Sequence, residues 1–181
     1  MRTYDVDGVS VQVVRKRVKN LNLRVRPQDG QVVASVPLQL PWERVEEFLH
    51  DRRRWIVDNH RKALASPQRR AELAGPDELR AWRVLVQAAT EQLVAKWEPV
   101  IGVKAGSLVY RSMRSRWGSC QPETGRVCIN TRLALYPPRC LEYVVVHELC
   151  HFLEPGHGPR FKALLDRFLP DWRVADALLK Q

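Results

Sequence analysis

The segment Leu141-Glu142-Tyr143-Val144-Val145-Val146 runs without a break into His147-Glu148-Leu149-Cys150-His151, and Pro155-Gly156-His157 follows. No other stretch constrains the fold as strongly. A nearly continuous apolar run reads as a helix sunk in a core rather than one lying on a surface. On such a helix His147 and His151 stand one turn apart on one face, so both imidazoles reach the same point. Pro155-Gly156 then ends the helix and turns the chain, which swings His157 back toward that point. The chain has five His, and three of them fall in this short stretch.

A helix can carry His, Glu and His as ordinary surface residues. The apolar run and the clustering of His weigh against that reading here. Imidazoles converging at this spacing are ligands for a divalent ion, and zinc accepts them readily. His157 and Glu154 both offer the third ligand, Glu154 only if the helix persists that far. Ligand chemistry and the turn favour His157. Glu154 then orients a His ring or is a solvated carboxylate. Three protein ligands leave a position open for water, which marks a catalytic site. Glu148, beside the first ligand, is placed to take a proton from that water. The expected chemistry is peptide-bond hydrolysis with one Zn2+ per chain and Glu148 as general base and later proton donor. An oxyanion donor is also required. Arg116, Tyr143 and Arg160 are the candidates, and their ordinary roles are salt bridging for the Arg residues and core packing for Tyr143.

The fold class expected is α+β, in two parts. Residues 1–65 read as a small antiparallel β meander followed by a helix. Val9, Val11 and Val13 alternate with polar residues, as do Leu21, Leu23 and Val25, and Val32–Val36 follows a turn at Gln28-Asp29-Gly30. A single helix is expected from Pro41-Trp42 to about residue 65. Residues 66–76 carry breakers and read as a connector. Residues 77–181 read as the catalytic part. It has a long apolar-striped helix first, then strands at 107–110, 116–120 and 126–130. The His-bearing helix opens at Pro137-Pro138, and two more helices follow. Arg126–Asn130 is expected to be an edge strand that pairs with substrate backbone. Trp117 is expected to pack beneath the site.

The four Cys, at 120, 128, 140 and 150, form no C-x-x-C pair, so a structural zinc ribbon is not expected. The N-terminus opens on polar residues, which argues against a signal peptide and for a cytoplasmic protein with free thiols. A Cys120–Cys128 bridge across a hairpin is the alternative. No apolar run is long enough for a membrane span. The net charge of +10 fits a polyanionic partner such as nucleic acid, although many basic proteins have none. Two functions from different classes follow. One is a zinc peptidase acting on peptide or protein substrates. The other is a basic nucleic-acid-associated module, including a DNA-linked protease, whose zinc site is structural or vestigial. Oligomeric state is not legible.

The order Arg114-Ser115-Arg116-Trp117-Gly118-Ser119-Cys120, Ile129-Asn130, the His147–His151 segment, His157, Phe161 and Pro170-Asp171-Trp172 resembles the YgjP-like metallopeptidase family. The resemblance extends more weakly over the front part through the basic strands and Trp55-Ile56. It implies a zincin-like domain, distantly similar to the SprT-like and Wss1-like proteases that act on DNA-bound proteins. It also implies His147, His151 and His157 as zinc ligands and Glu148 as base. Lys162 stands where the family often has a second aromatic after Phe161. The Cys-rich ribbon common in SprT-like proteins is missing. A metzincin is disfavoured, because Glu154 occupies its Gly position and both Met residues precede the motif.

Overall fold

Short valine-rich strands with period-two burial open the chain in the computed structural model, which describes residues 1–180. The chain divides into two units, Met1–Leu73 and Ala74–Gln181.

In the first unit β1 (Arg2–Val6) and β2 (Val9–Lys16) form a hairpin. Its turn takes Asp7 and Gly8 at positive φ, the twist that a two-residue hairpin needs. β3 (Asn22–Val25) and β4 (Val32–Pro37) complete a sheet of order β1-β2-β4-β3. β2 and β4 run parallel, from Val11 opposite Val32 to Lys16 opposite Pro37. The sheet is therefore mixed, where the sequence pattern suggested an antiparallel meander. Residues 17–31, β3 included, supply the crossover that parallel neighbours require. Burial explains the order. β4 is apolar on one face and half-buried on the other, so it takes a central place. β3, with Asn22 and Arg24 exposed, takes the edge.

Val11, Val13, Val32, Ala34 and Val36 pack with Val45, Leu49 and Ile56 from two helices, α1 (Trp42–Asp51) and α2 (Arg53–Leu64). The single helix expected here breaks at Arg52. Arg15 holds the chain that leaves this sheet. Its guanidinium donates to the carbonyls of Leu38 and Leu40 and stacks on Trp42, tying down the chain between β4 and α1. The stretch read as a connector contains α3 (Pro67–Leu73), whose first turn donates from Arg69 N–H to the Ser66 hydroxyl.

The second unit opens with α4 (Pro76–Ile101). β5 (Ser107–Arg111), β6 (Gly118–Gln121) and β7 (Arg126–Asn130) form a sheet of order β5-β7-β6. β7 is thus central, parallel to β5 and antiparallel to β6, and both of its edges are paired. This corrects the expectation of an edge strand at 126–130. The reason is burial, since Val127 through Asn130 are buried on both faces. The free edge nearest the His-bearing helix belongs to β6. Register also separates two thiols. Cys128 lies opposite Ser119, while Cys120 lies opposite Val127, so Cys120 and Cys128 face opposite sides of the sheet and both are free.

α5 (Pro138–Cys150) runs through the centre of this unit, packed by α4, β6, β7 and the last two helices, α6 (Pro159–Phe168) and α7 (Trp172–Leu179). Its valines and Leu149 are buried, which agrees with the helix expected from the apolar run. Among the described residues no helix is long and apolar enough to cross a membrane.

Candidate active site

The last turn of α5 presents His147 and Glu148, and the helix stops at Cys150, with His151 as its C-cap. The chain then turns through Pro155-Gly156 and delivers His157 just before α6. The Nε2 atom of His147 lies 3.0 Å from that of His157 and 3.2 Å from that of His151. Metal–nitrogen bonds of about 2.0–2.1 Å in a tetrahedron put neighbouring nitrogens about 3.3 Å apart. The three imidazoles therefore sit at the separation that one metal ion demands, and all their ligand atoms lie within 4.8 Å of one another.

Protonation supports the same use. A carbonyl only accepts, so His151 Nδ1–H donates to the Glu154 carbonyl at 3.1 Å. That leaves the His151 Nε2 lone pair free. Burial, assisted by the two neighbouring His, holds His147 far down, at about 3. Burial also lowers His151. Neutral rings are what metal binding requires. His147 Nδ1 is buried with no hydrogen-bond partner. Phe161, 1% exposed, forms a floor under all three rings, with centroids 4.7, 4.6 and 4.9 Å from those of His147, His151 and His157.

Glu154 does not join the cluster. The helix ends before it, and its carboxylate accepts from Gly156 N–H while its backbone carbonyl serves His151. Glu154→Ala is therefore expected to keep its metal content, as elemental analysis would measure, because the backbone contact survives the substitution.

Glu148 is 5% exposed yet lies on the wall of a cleft of about 550 Å³. Burial pushes its carboxyl up to about 8, and the Arg116 guanidinium opposes that rise. Gly118 on β6 makes room for it. A Cβ at Gly118 would stand 2.4 Å from Glu148 Oε1 and 2.8 Å from its Cγ. Gly118 has an ordinary strand backbone, so this glycine is needed for close approach rather than for an unusual φ.

Arg116 and Tyr143 also line the cleft. The Tyr143 ring meets His147 edge-on at 5.6 Å, and its hydroxyl lies 3.4 Å from Asp176 Oδ1. Arg160, on the first turn of α6, is exposed and does not line the cleft, because Phe161 takes the inward position there. Trp117 forms part of the cleft wall rather than lying beneath it, edge-on to Tyr136, with its indole N–H donating to the Leu179 carbonyl.

Asn130 is a positioning residue that residue type and spacing do not reveal. It is buried, and its side chain donates to the carbonyls of Met113 and Arg116 and accepts from the N–H groups of Met113 and Arg132. Those bonds clamp the loop that brings Arg116, Trp117 and Gly118 to the cleft. A buried Asn ending a strand is the only trace of this in the sequence. Asn130→Ala leaves these backbone groups unpaired and is expected to cost about 3 kcal/mol by denaturant unfolding. A loss near zero would show that the loop holds its shape without the clamp.

The model of a family described as "YgjP-like, metallopeptidase domain" matches residues 77–181. No curated protein matches. Among solved structures, the chain is similar to the metallopeptidase zymogen of Methanocaldococcus jannaschii jannalysin, at 19% identity and a TM-score of 0.43, over 50% of this chain and 91% of that one. The metallopeptidase zymogen of Pyrococcus abyssi abylysin is similar at 16% identity and a TM-score of 0.43, over 49% and 87%. The family match covers more than half of the chain and falls within the unit that brings the three His together, and the protein belongs to the YgjP-like metallopeptidase family.

Proposed function

We propose that the protein hydrolyses peptide bonds with one zinc ion per chain, held by His147, His151 and His157, and with Glu148 as general base. The observation that carries this reading is the convergence of three imidazole nitrogens beside one buried carboxylate on a cleft wall. The donor set fits zinc, with neutral nitrogens at tetrahedral spacing and room in the cleft for a fourth ligand. When bound, zinc supplies Lewis acidity that acidifies water and polarises a carbonyl.

The chain's own residues do the rest. Glu148 takes the proton of the attacking water and later passes it to the leaving amine. Gly118 and the walls of the cleft hold that carboxylate in place. Arg116 and Tyr143 donate to the oxyanion that develops on the scissile carbonyl. An extended peptide adds to the free edge of β6, beside the cleft, as a further strand. The four free thiols fit a reducing compartment such as the cytoplasm.

Elemental analysis tests the metal first. Purified wild-type protein is expected to hold about one zinc per chain, and His151→Ala to hold almost none. Chelation is expected to stop peptide cleavage and added zinc to restore it. A well-folded wild type that refuses zinc would overturn the reading.

A further inference from the structure

The cleft is not the only concavity of the second unit. Register places Arg111 of β5, Arg126 and Cys128 of β7, and Ser119 and Gln121 of β6 on one face of the sheet. With Arg116 they surround a cavity of about 240 Å³ that no carboxylate lines. None of the three guanidiniums makes a salt bridge or a side-chain hydrogen bond among the described residues. All three oppose the rise that burial, together with the Glu148 carboxylate, gives the Cys128 thiol. Glu148 acts on Arg116 from the cleft side, but no carboxylate enters the cavity itself, and like charges gathered there repel one another until an anion is seated among them.

We propose that this cavity is a subsite for one carboxylate side chain of the peptide substrate, gripped by Arg111 and Arg126, with Arg116 at its border with the cleft. The inference rests on the peptidase reading above. Two observations tie the cavity to the cleft. Arg116 and Ser119 border both, so β6 is the wall between them. β6 is also an edge strand. A peptide paired along that edge turns successive side chains to opposite faces of the sheet. A residue facing the cleft therefore has a neighbour facing the arginines. Guanidinium forks suit a carboxylate there. Nucleic acid fits the geometry less well, because phosphates repeat along a strand and call for a track of cations. On this face Ser107, Val109 and Asn130 are uncharged.

The test starts by profiling cleavage of a mixed peptide library by the zinc-loaded full-length protein. Decapeptides follow that differ only by Glu, Gln or Lys at the selected position. An acidic residue is expected within about three positions of the scissile bond, on the strand geometry. The kcat/KM of the Glu peptide is expected to exceed that of the Gln peptide about tenfold. The double variant Arg111→Gln/Arg126→Gln brings that ratio close to one. Arg126→Glu shifts the preference toward Lys, a gain that a misfolded protein would not produce. No acidic preference in the wild type, or an unchanged ratio in the double variant, overturns the proposal.

Binding of the same peptides to zinc-loaded Glu148→Gln, followed by fluorescence anisotropy, separates the two readings. A Glu-over-Gln affinity ratio that depends on Arg111 and Arg126, with no cleavage by the wild type, would sink the peptidase reading and leave the carboxylate site standing. Cleavage without that ratio would do the reverse. If the double variant instead loses salt-sensitive binding of a single-stranded oligonucleotide while the Glu/Gln ratio holds, the cavity is a phosphate site and the proposal fails.

Discussion

Glu148→Gln is expected to lower peptide hydrolysis about 10³-fold while zinc content stays unchanged, since general acid–base catalysis contributes roughly 10²–10⁴. Gln has nearly the volume of Glu and occupies the same space against Gly118, so the site keeps its shape. Gln has no basic oxygen able to take the proton of water and return it to the amine. Steady-state kinetics beside elemental analysis would separate this loss from a loss of metal. Full activity with full zinc would remove Glu148 from the mechanism. Loss of both would make it a structural support for the ligands.

Gly118→Ala produces the second large effect without touching a ligand or the base. The added methyl would lie inside the contact distance of three Glu148 atoms, the carboxylate oxygen nearest at 2.4 Å. Glu148 is enclosed by the core and has little room to retreat. The expected outcome is a loss of about 10²-fold in kcat with zinc retained, the order that misplacing a reacting group by about 1 Å costs. A double variant isolates the cause. If Gly118 acts only through Glu148, adding Gly118→Ala to Glu148→Gln costs almost nothing further. An additive loss would mean that the methyl obstructs the substrate instead.

Much of the candidate site was legible because it is local. The spacing of His147 and His151 is a property of one helix. The stop at Pro155-Gly156 is a property of two residues. The buried character of α5 follows from its own composition. Even there, only the tertiary structure reveals that Glu154 serves His151 through its backbone, because a carbonyl leaves no mark in the residue type. The N-terminal strands were legible for the same reason, since period-two burial is written into each strand.

Strand partners were not legible. A strand's pattern says which face is buried and leaves open which neighbour pairs with it. So β4 lies between β2 and β3, and β7 lies at the centre of its sheet, with β6 at the edge beside the cleft. Those choices are made by the competition of whole strands for the most buried position. They decide which edge is free for a substrate and which arginines meet on one face.

The amino-acid sequence by itself determined the His-bearing helix, the turn after it and the residue types of the three-His candidate site, because each rests on backbone geometry over a few residues. Tertiary structure alone decided that Gly118 leaves space for Glu148, that Phe161 underlies three imidazoles, and that Asn130 clamps the loop before β6. Each of these is a contact between separate elements, and close packing settles it only once all the elements are assembled.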